Sequence, residues 1–176
     1  MYYGNYLELH GIDTVAECVV STFGTQIDWT FVGDGPMRSA VEQQCAGLQN
    51  VRFIDWIEYD DLPLEIHEAD LVLGVFGTTQ KANRVIPNKV YQALACGRPV
   101  ATMRSNAYPT QLLESSENGI YWAETITPKD IERSINSAIE GDFSEDCRRA
   151  RQSYEDYFSN KIVQVKLAEL LLKQTC

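Results

Sequence analysis

The sequence has few of the side chains that bind transition metals. Only two histidines and five cysteines occur among 176 residues, without a C-x-x-C pair or a close set of His and carboxylate residues. This spacing argues against a zinc site and against a disulfide framework. We therefore expect no metal centre, no cofactor, and cysteines that stay reduced in a cytoplasmic protein.

The chain also lacks an apolar run near the 18 residues that a membrane-spanning helix needs. Its formal net charge is −10, whereas general binding of nucleic acid requires a broad basic surface. These two properties argue against a membrane-embedded protein and against a nucleic-acid partner. The hydrophobic content of 44% is that of an ordinary folded domain with a sizeable core.

Negative charge is missing from one long segment. No Asp or Glu occurs between Leu71 and Leu113, although the chain has 25 of them. An apolar strand pattern, a polar loop and a helix pattern from Pro87 to Gly97 follow one another there. Helix-start amides and nearby cations attract anions, so the segment predicts a phosphate site. Its cations are Lys81, Arg84, Lys89, Arg98 and Arg104.

Strand and helix patterns alternate along most of the chain. This alternation predicts an α/β protein with a Rossmann-like, doubly wound parallel sheet of about six strands, helices on both faces and a helical C-terminal tail. The predicted strands are Tyr2–Tyr3, Trp29–Val32, Val51–Ile54, Asp70–Val75, Val100–Met103 and Gly119–Trp122. The predicted helices are Gly11–Phe23, Met37–Ala46, Tyr59–Glu68, one after Pro87, Pro109–Glu114, one after Thr127, one capped by Ser144, and Lys161–Lys173.

A doubly wound sheet with strand order 3-2-1-4-5-6 has its ligand crevice beyond the carboxyl ends of strands one and four. The loops that reach this crevice are Gly4–His10 and Phe76–Ile86, so topology and charge indicate the same place. The dinucleotide fingerprint G-x-G-x-x-G and the P-loop pattern G-x-x-x-x-G-K-[ST] are both absent. A dinucleotide dehydrogenase and a P-loop enzyme are therefore disfavoured.

Several short pieces follow one another in an order that is typical of one family. Over residues 1–140 the chain resembles the C-terminal, nucleotide-sugar-binding domain of retaining glycosyltransferases of the GT-B fold, in their large fourth sequence family. It is most similar to bacterial enzymes that build O-antigen, capsule and exopolysaccharide. The pieces are Tyr3-Gly4-Asn5, His10-Gly11-Ile12-Asp13, Phe31-Val32-Gly33-Asp34-Gly35-Pro36, residues 50–57, Ala69-Asp70-Leu71, Ile86-Pro87-Asn88-Lys89 and residues 93–100.

The resemblance implies a division of the chain. Residues 1–140 would be the donor-binding half of a GT-B fold, and residues 141–176 would be helices that pack on it. We expect the native chain to continue upstream, because Tyr2-Tyr3 looks like the end of a strand, and we expect the acceptor-binding domain there. The full-length protein would be cytoplasmic and peripheral at the inner face of the cytoplasmic membrane, with membrane contact only through that missing domain.

The resemblance also implies a set of site residues, with two departures. The family has a Glu pair spaced by seven residues, and Arg84 and Gln92 stand at these positions here. Gln92 would bind the ribose, while Lys81, Arg84 and Lys89 would hold the diphosphate as the catalytic cations. The first loop would contribute Gly4, Asn5 and His10, where the family often has Arg and Lys.

Three of the predicted donor-binding residues each have two interpretations, one as a ligand-binding residue and one as a purely structural residue. Asn88 would offer its amide at a helix start or be a plain turn residue. Trp56 would cradle the base or belong to the core, and His10 would approach the phosphates or cap a turn. The other members of the predicted donor site are Ile57, Tyr59, Thr78 and Thr79.

The implied reaction is transfer of a hexose or N-acetylhexosamine from a UDP-sugar to a glycan acceptor, with retained configuration and without a metal. The acceptor would be linked to undecaprenyl diphosphate, as in O-antigen synthesis, and the domain would be inactive without its N-terminal partner domain. Two alternatives stay open. One is a sugar-nucleotide epimerase of similar fold, and the other is a non-catalytic nucleotide-binding module.

Overall fold

The computed structural model describes residues 1–22, 25–77 and 79–173. Within this part of the chain, six parallel strands form one sheet, which confirms the predicted α/β class. The strands are β1 Tyr2–Tyr3, β2 Trp29–Val32, β3 Val51–Ile54, β4 Val72–Leu73, β5 Val100–Met103 and β6 Ile120–Ala123. Their order in the sheet is β3-β2-β1-β4-β5-β6, the doubly wound order for which the position of the crevice was inferred. The central strand β1 pairs with both β2 and β4, so the order reverses there.

Helices connect the strands and make up the C-terminal part. A 3-10 helix at Glu8–His10 precedes α1, and another at Ala82–Arg84 precedes α4. The helices are α1 Ile12–Ser21, α2 Arg38–Gln44, α3 Leu62–Glu68, α4 Asn88–Ala95, α5 Thr110–Glu114, α6 Pro128–Ile139, α7 Phe143–Tyr157 and α8 Asn160–Lys173.

Three predicted elements show the clearest differences from the structure at their boundaries. The strand predicted over Asp70–Val75 is only Val72–Leu73, and the helix predicted from Tyr59 begins at Leu62. Ser144 was the wrong cap for α7, because Asp142 is the N-cap and its carboxylate accepts the amide of Glu145 at 3.1 Å. The predicted end of the first helix, at residues 23–24, lies outside the described residues.

Two cores cover the two faces of the sheet. Successive strand residues point to opposite faces, so Tyr2 and Phe31 enter one core, whereas Tyr3 and Val32 enter the other. The first core is completed by α1, α2 and α6. The second contains side chains from α3, α4, α5 and α7. The site loops therefore stand on a sheet that is packed on both sides.

The last helix is mostly exposed along its length. Large apolar side chains of α8 face solvent, including Leu167, Leu170 and Leu171. Among the residues that the structure describes, no helix is long and apolar enough to cross a membrane.

Two glycines allow the strand-end loops to meet. A Cβ on Gly77, in the loop after β4, would lie 1.8 Å from the carbonyl oxygen of Leu9, in the loop after β1. A Cβ on Gly33, after β2, would lie 2.3 Å from the carbonyl oxygen of Gly4, and Gly33 has a φ of +109°. Only glycine fits such an approach without moving backbone.

We predict that Gly33→Ala destabilises the domain by about 2–4 kcal/mol, since it combines backbone strain with a backbone clash. Gly47→Ala is the matched control, because Gly47 also has a positive φ (+84°) but has no atom within 4 Å of its Cβ position. Urea unfolding of both variants measures the difference. Equal losses in the two variants would show that Gly33 and Gly4 are not in close contact.

Candidate functional site

The loops after β1 and β4 are joined at the point where strand order reverses. The amide of Phe76 donates to the carbonyl of His10 at 3.0 Å, and the close approach of Gly77 to Leu9 lies beside this bond. The crevice predicted from topology is therefore bordered by two loops held against each other.

A buried amine lies at this crevice. Lys89, the second residue of α4, is only 7% exposed, and its Nζ has no hydrogen-bond partner among the described residues. The Nζ atom lies 3.7 Å from the ring centroid of Tyr2 and 3.7 Å from the position of a Cβ on Gly4. Burial lowers the pKa of Lys89 from 10.5 to about 7. The Lys89 ammonium is thus removed from water, and the described residues give its Nζ no hydrogen-bond partner. Such an arrangement favours the binding of an anionic ligand.

The start of α4 adds backbone donors beside the amine. Pro87 is the N-cap, and no side chain caps this end of the helix among the residues described. Asn88, the first helical residue, is exposed. The amides of the first turn therefore have no side-chain acceptor at the cap, which suits the binding of an anion at this helix start.

His10 is tied to the first loop. Its Nδ1 donates to the carbonyl of Asn5 at 2.9 Å, and the hydroxyl of Tyr2 donates to the same carbonyl. The pKa of His10 is lowered mainly by burial, with further lowering by Lys89 and Lys81 and an opposing effect of the Asn5 carbonyl. The lowered pKa favours the neutral ring, which holds the first loop through the carbonyl of Asn5.

The other two predicted cations lie in the loop after β4. Lys81 and Arg84 flank the 3-10 helix and are both exposed. Lys81 lowers the pKa of His10, so its positive charge lies within electrostatic reach of that ring. Thr79 is exposed, and its hydroxyl accepts the amide of Ala82, which shapes this loop. Thr78 lies outside the described residues.

Gln92 is joined to the central strand. The hydroxyl of Tyr3 donates to the carbonyl of Lys89 at 3.0 Å and lies 3.2 Å from Oε1 of Gln92. Burial, with smaller effects of Cys96 and Tyr59, raises the pKa of Tyr3. The contact between Tyr3 and Gln92 holds the amide of Gln92 at the carboxyl end of β1.

The loop after β3 presents two aromatic side chains. Trp56 and Tyr59 are each 73% exposed, so the interpretation of Trp56 as a core residue is wrong. Trp56 Nε1 donates to the carboxylate of Glu58 at 3.3 Å. Ile57 is partly buried against the second core. Exposed rings at a strand end offer a flat surface to a planar ligand.

Sequence reasoning missed one residue of this edge, Arg38. Its buried guanidinium contacts the ends of β2 and β3. The signal in the sequence is a basic residue just after a turn, since Arg38 follows Met37 and the turn Gly33-Asp34-Gly35-Pro36. An Arg at the start of a helix is normally expected to be exposed. Among the described residues, no three His, Cys, Asp or Glu side chains are grouped to hold a metal ion.

Comparison with known proteins identifies the family. The model of the family "Glycosyl transferases group 1" matches residues 1–140. The chain belongs to this family. The probable glycosyltransferase WbjE of Pseudomonas aeruginosa is 25% identical to it over an alignment of 174 residues, and the match covers 90% of this chain and 41% of WbjE.

Solved glycosyltransferases share the fold. The crystal structure of Anabaena HepE in complex with UDP has a TM-score of 0.79 at 20% identity, and the match covers 98% of this chain and 48% of HepE. The C-terminal domain of LpcC from Francisella tularensis has a TM-score of 0.67 at 21% identity, over 88% of this chain and 80% of that domain. This glycosyltransferase chain thus spans less than half the length of WbjE and HepE.

We predict that Lys89→Met stabilises the glycosyltransferase domain at pH 6 and does so less at pH 9. The unfolded lysine keeps its proton up to about pH 10.5, whereas the folded one loses it near pH 7. Between these values the unfolded state binds more protons, so wild-type stability rises with pH. A difference of one pKa unit between the folded and unfolded states corresponds to about 1.4 kcal/mol of stability.

Urea unfolding at the two pH values measures this difference. Lys129→Met, at an exposed lysine of α6, is the control for loss of one charge. If Lys89→Met and Lys129→Met respond alike to pH, the amine of Lys89 is hydrated rather than buried.

Proposed function

We propose that this chain is the donor-binding half of a retaining glycosyltransferase that uses a UDP-sugar. In this proposal residues 1–140 bind the sugar nucleotide, and residues 141–176 are helices that pack on them. The observation that carries the proposal is the buried amine of Lys89, without a hydrogen-bond partner in the described part of the chain, beside the first turn of α4. Both groups suit a diphosphate.

The structural relatives support UDP as the nucleotide. HepE was crystallised with UDP and with UDP-glucose, and each of these matches covers 98% of this chain. The TarM protein of Staphylococcus aureus, with UDP bound, has a TM-score of 0.75 over 96% of this chain. We extend UDP to this chain because its own buried amine lies at the carboxyl end of β1.

The proposed chemistry is stabilisation of a leaving group. As the bond between the sugar and UDP breaks, negative charge grows on the β-phosphate, and the Lys89 ammonium and helix amides bind it more strongly. Lys81 and Arg84 add positive charge from the loop after β4. The acceptor hydroxyl loses its proton to a departing phosphate oxygen, and no metal is required in this scheme.

The other proposed contacts with the sugar nucleotide lie near the carboxyl ends of the strands. Gln92 binds the ribose through its amide in place of the usual carboxylate. The loop of residues 55–59 holds the base, with Trp56 and Tyr59 as exposed rings. Arg84 holds phosphate where the family has its first Glu, so the diphosphate is held from α4 and the loop after β4. His10 and Asn5 shape the first loop instead of carrying charge.

We also propose a substrate and an acceptor for the whole enzyme. It transfers a hexose or N-acetylhexosamine to a glycan linked to undecaprenyl diphosphate, in the synthesis of bacterial surface polysaccharide such as O-antigen. An N-terminal domain binds this acceptor and makes the contact with the cytoplasmic face of the membrane. The 176-residue chain alone would bind the donor without transferring sugar, whereas an epimerase would release an epimerised sugar nucleotide from the same donor.

We predict that UDP binds this chain without added metal, with a dissociation constant of about 1 μM to 1 mM, or ~4–8 kcal/mol of binding free energy. Affinity should fall by up to about tenfold per pH unit above pH 7, because the ligand requires the protonated Lys89 and raises its pKa. Calorimetry at pH 6.5, 7.5 and 8.5, with buffers of different ionisation enthalpy, measures both affinity and proton uptake.

Lys89→Met should remove this pH dependence above pH 7, and Lys129→Met should keep it. If Lys89→Met binds UDP as tightly as the parent at pH 6.5, the diphosphate does not lie at the buried amine, and the proposed site is wrong.

We predict that Lys81→Ala and Arg84→Ala each weaken UDP binding about tenfold or more and leave uridine binding almost unchanged, because a charge-assisted bond to phosphate is lost. Gln92→Ala should weaken both ligands, since uridine retains the ribose. Competition binding with UDP and uridine makes the comparison. A parallel loss of both ligands in Arg84→Ala would place Arg84 away from the phosphates.

A further inference from the structure

Arg38 joins the ends of two neighbouring strands. Its side chain is 10% exposed. Nη1 donates to the carbonyl of Gly33, directly after β2, and at 3.4 Å to the carbonyl of Ile54, the last residue of β3. Nη2 donates to Asp55 Oδ1 at 3.1 Å, and Nε donates to Glu42 Oε1 at 2.6 Å. The guanidinium therefore fixes the point where the loop after β3 begins.

Two aromatic rings hold the guanidinium in place. Its Cζ lies 5.3 Å from the ring centroid of Tyr6 and 5.0 Å from that of Phe53. Tyr6 belongs to the loop after β1, so Arg38 contacts loops or strand ends from β1, β2 and β3. A planar fork with several fixed donors can bind these acceptors together, whereas a lysine provides only a point charge.

The loop that Arg38 reaches has little packing of its own. Within residues 55–59, Ile57 packs against the second core, while Trp56 and Tyr59 are each 73% exposed. The carboxylate of Asp55 is itself 95% exposed, and it pairs with Arg38. A loop with two exposed rings and one partly buried side chain depends on its first residues for its direction.

We propose that Arg38 is a positioning residue that sets the orientation of loop 55–59 and thereby the recognition of the nucleobase of a nucleoside diphosphate. This inference rests on the proposed function, since it takes that loop as the base-binding one. The buried amine of Lys89 lies against Tyr2 and Gly4, whereas Arg38 contacts Tyr6 and the ends of β2 and β3. Because Arg38 shares none of these direct contacts with Lys89, we expect it to act on the base and to leave the phosphate contacts unchanged.

The test compares two ligands on the 176-residue chain. Calorimetry gives the affinities of UDP and of inorganic diphosphate for the parent and for Arg38→Gln, below the unfolding temperature of both. We expect Arg38→Gln to lower UDP affinity on the order of tenfold, the scale of one lost base-stacking contact, and to leave diphosphate affinity unchanged. A merely structural effect would change both affinities alike or neither.

The matched control is Arg52→Gln. Arg52 lies on β3, and its exposed side chain contacts Glu65 at 3.8 Å, so the variant removes one nearby positive charge without touching the loop. The ratio of UDP to diphosphate affinity should stay at the parental value. A fall in this ratio as large as in Arg38→Gln would assign the effect to charge and overturn the proposal.

Asp55→Ala keeps the proposal testable if Arg38→Gln does not fold, because the Asp55 side chain is exposed and its removal leaves the core intact. It should lower the same ratio, and the double variant should be no weaker than Arg38→Gln alone. An unchanged ratio in Asp55→Ala, or in a folded Arg38→Gln, overturns the inference and leaves the proposed function standing. If parental UDP binds no better than diphosphate, base recognition by loop 55–59 fails and the proposed function fails with it.

Discussion

The buried amine of Lys89 is the constraint around which the carboxyl edge of the sheet is arranged. An ammonium removed from water loses free energy of hydration unless a counter-charge replaces the water. The described structure gives this amine the face of the Tyr2 ring and the space above Gly4, but no hydrogen-bond acceptor. Such a desolvated charge lowers the stability of the fold, and a bound anion would offset that loss. The absence of acidic residues from Leu71 to Leu113 is consistent with this arrangement.

Close backbone approaches hold the loops around that amine. Gly77 allows the loop after β4 to lie against Leu9, and Gly33 allows the turn after β2 to lie against Gly4. Larger residues at these two glycines would separate loops that come from different strands. These approaches hold the loops against one another, and loops held in this way can keep donor groups in place before a ligand binds.

The strand order places the proposed phosphate and ribose contacts and the proposed base-binding loop at different positions along this edge. On one side of β1, α4 carries Lys89 and Gln92, which are the proposed phosphate and ribose contacts. On the other side, Arg38 joins the ends of β2 and β3 next to the loop that carries the exposed ring of Trp56. A ligand that lies across β1 would then extend from phosphate to base. The proposed replacement of the family's Glu pair by Arg84 and Gln92 is compatible with this layout, because the proposed phosphate contacts include Lys89 and the helix amides.

The sequence by itself determined the order of elements, the α/β class and the location of the cationic segment, because these follow from local periodicity and from composition. It also placed Lys89 near the crevice. Only the tertiary structure decided that this amine and Arg38 are buried and that Trp56 is exposed. Solvent exposure depends on contacts between residues that are far apart in the chain. The hydroxyl of Tyr3, for example, reaches the carbonyl of Lys89, 86 positions away. The type and spacing of a residue indicate its possible chemistry, but its solvent exposure is determined by the packing of the whole fold.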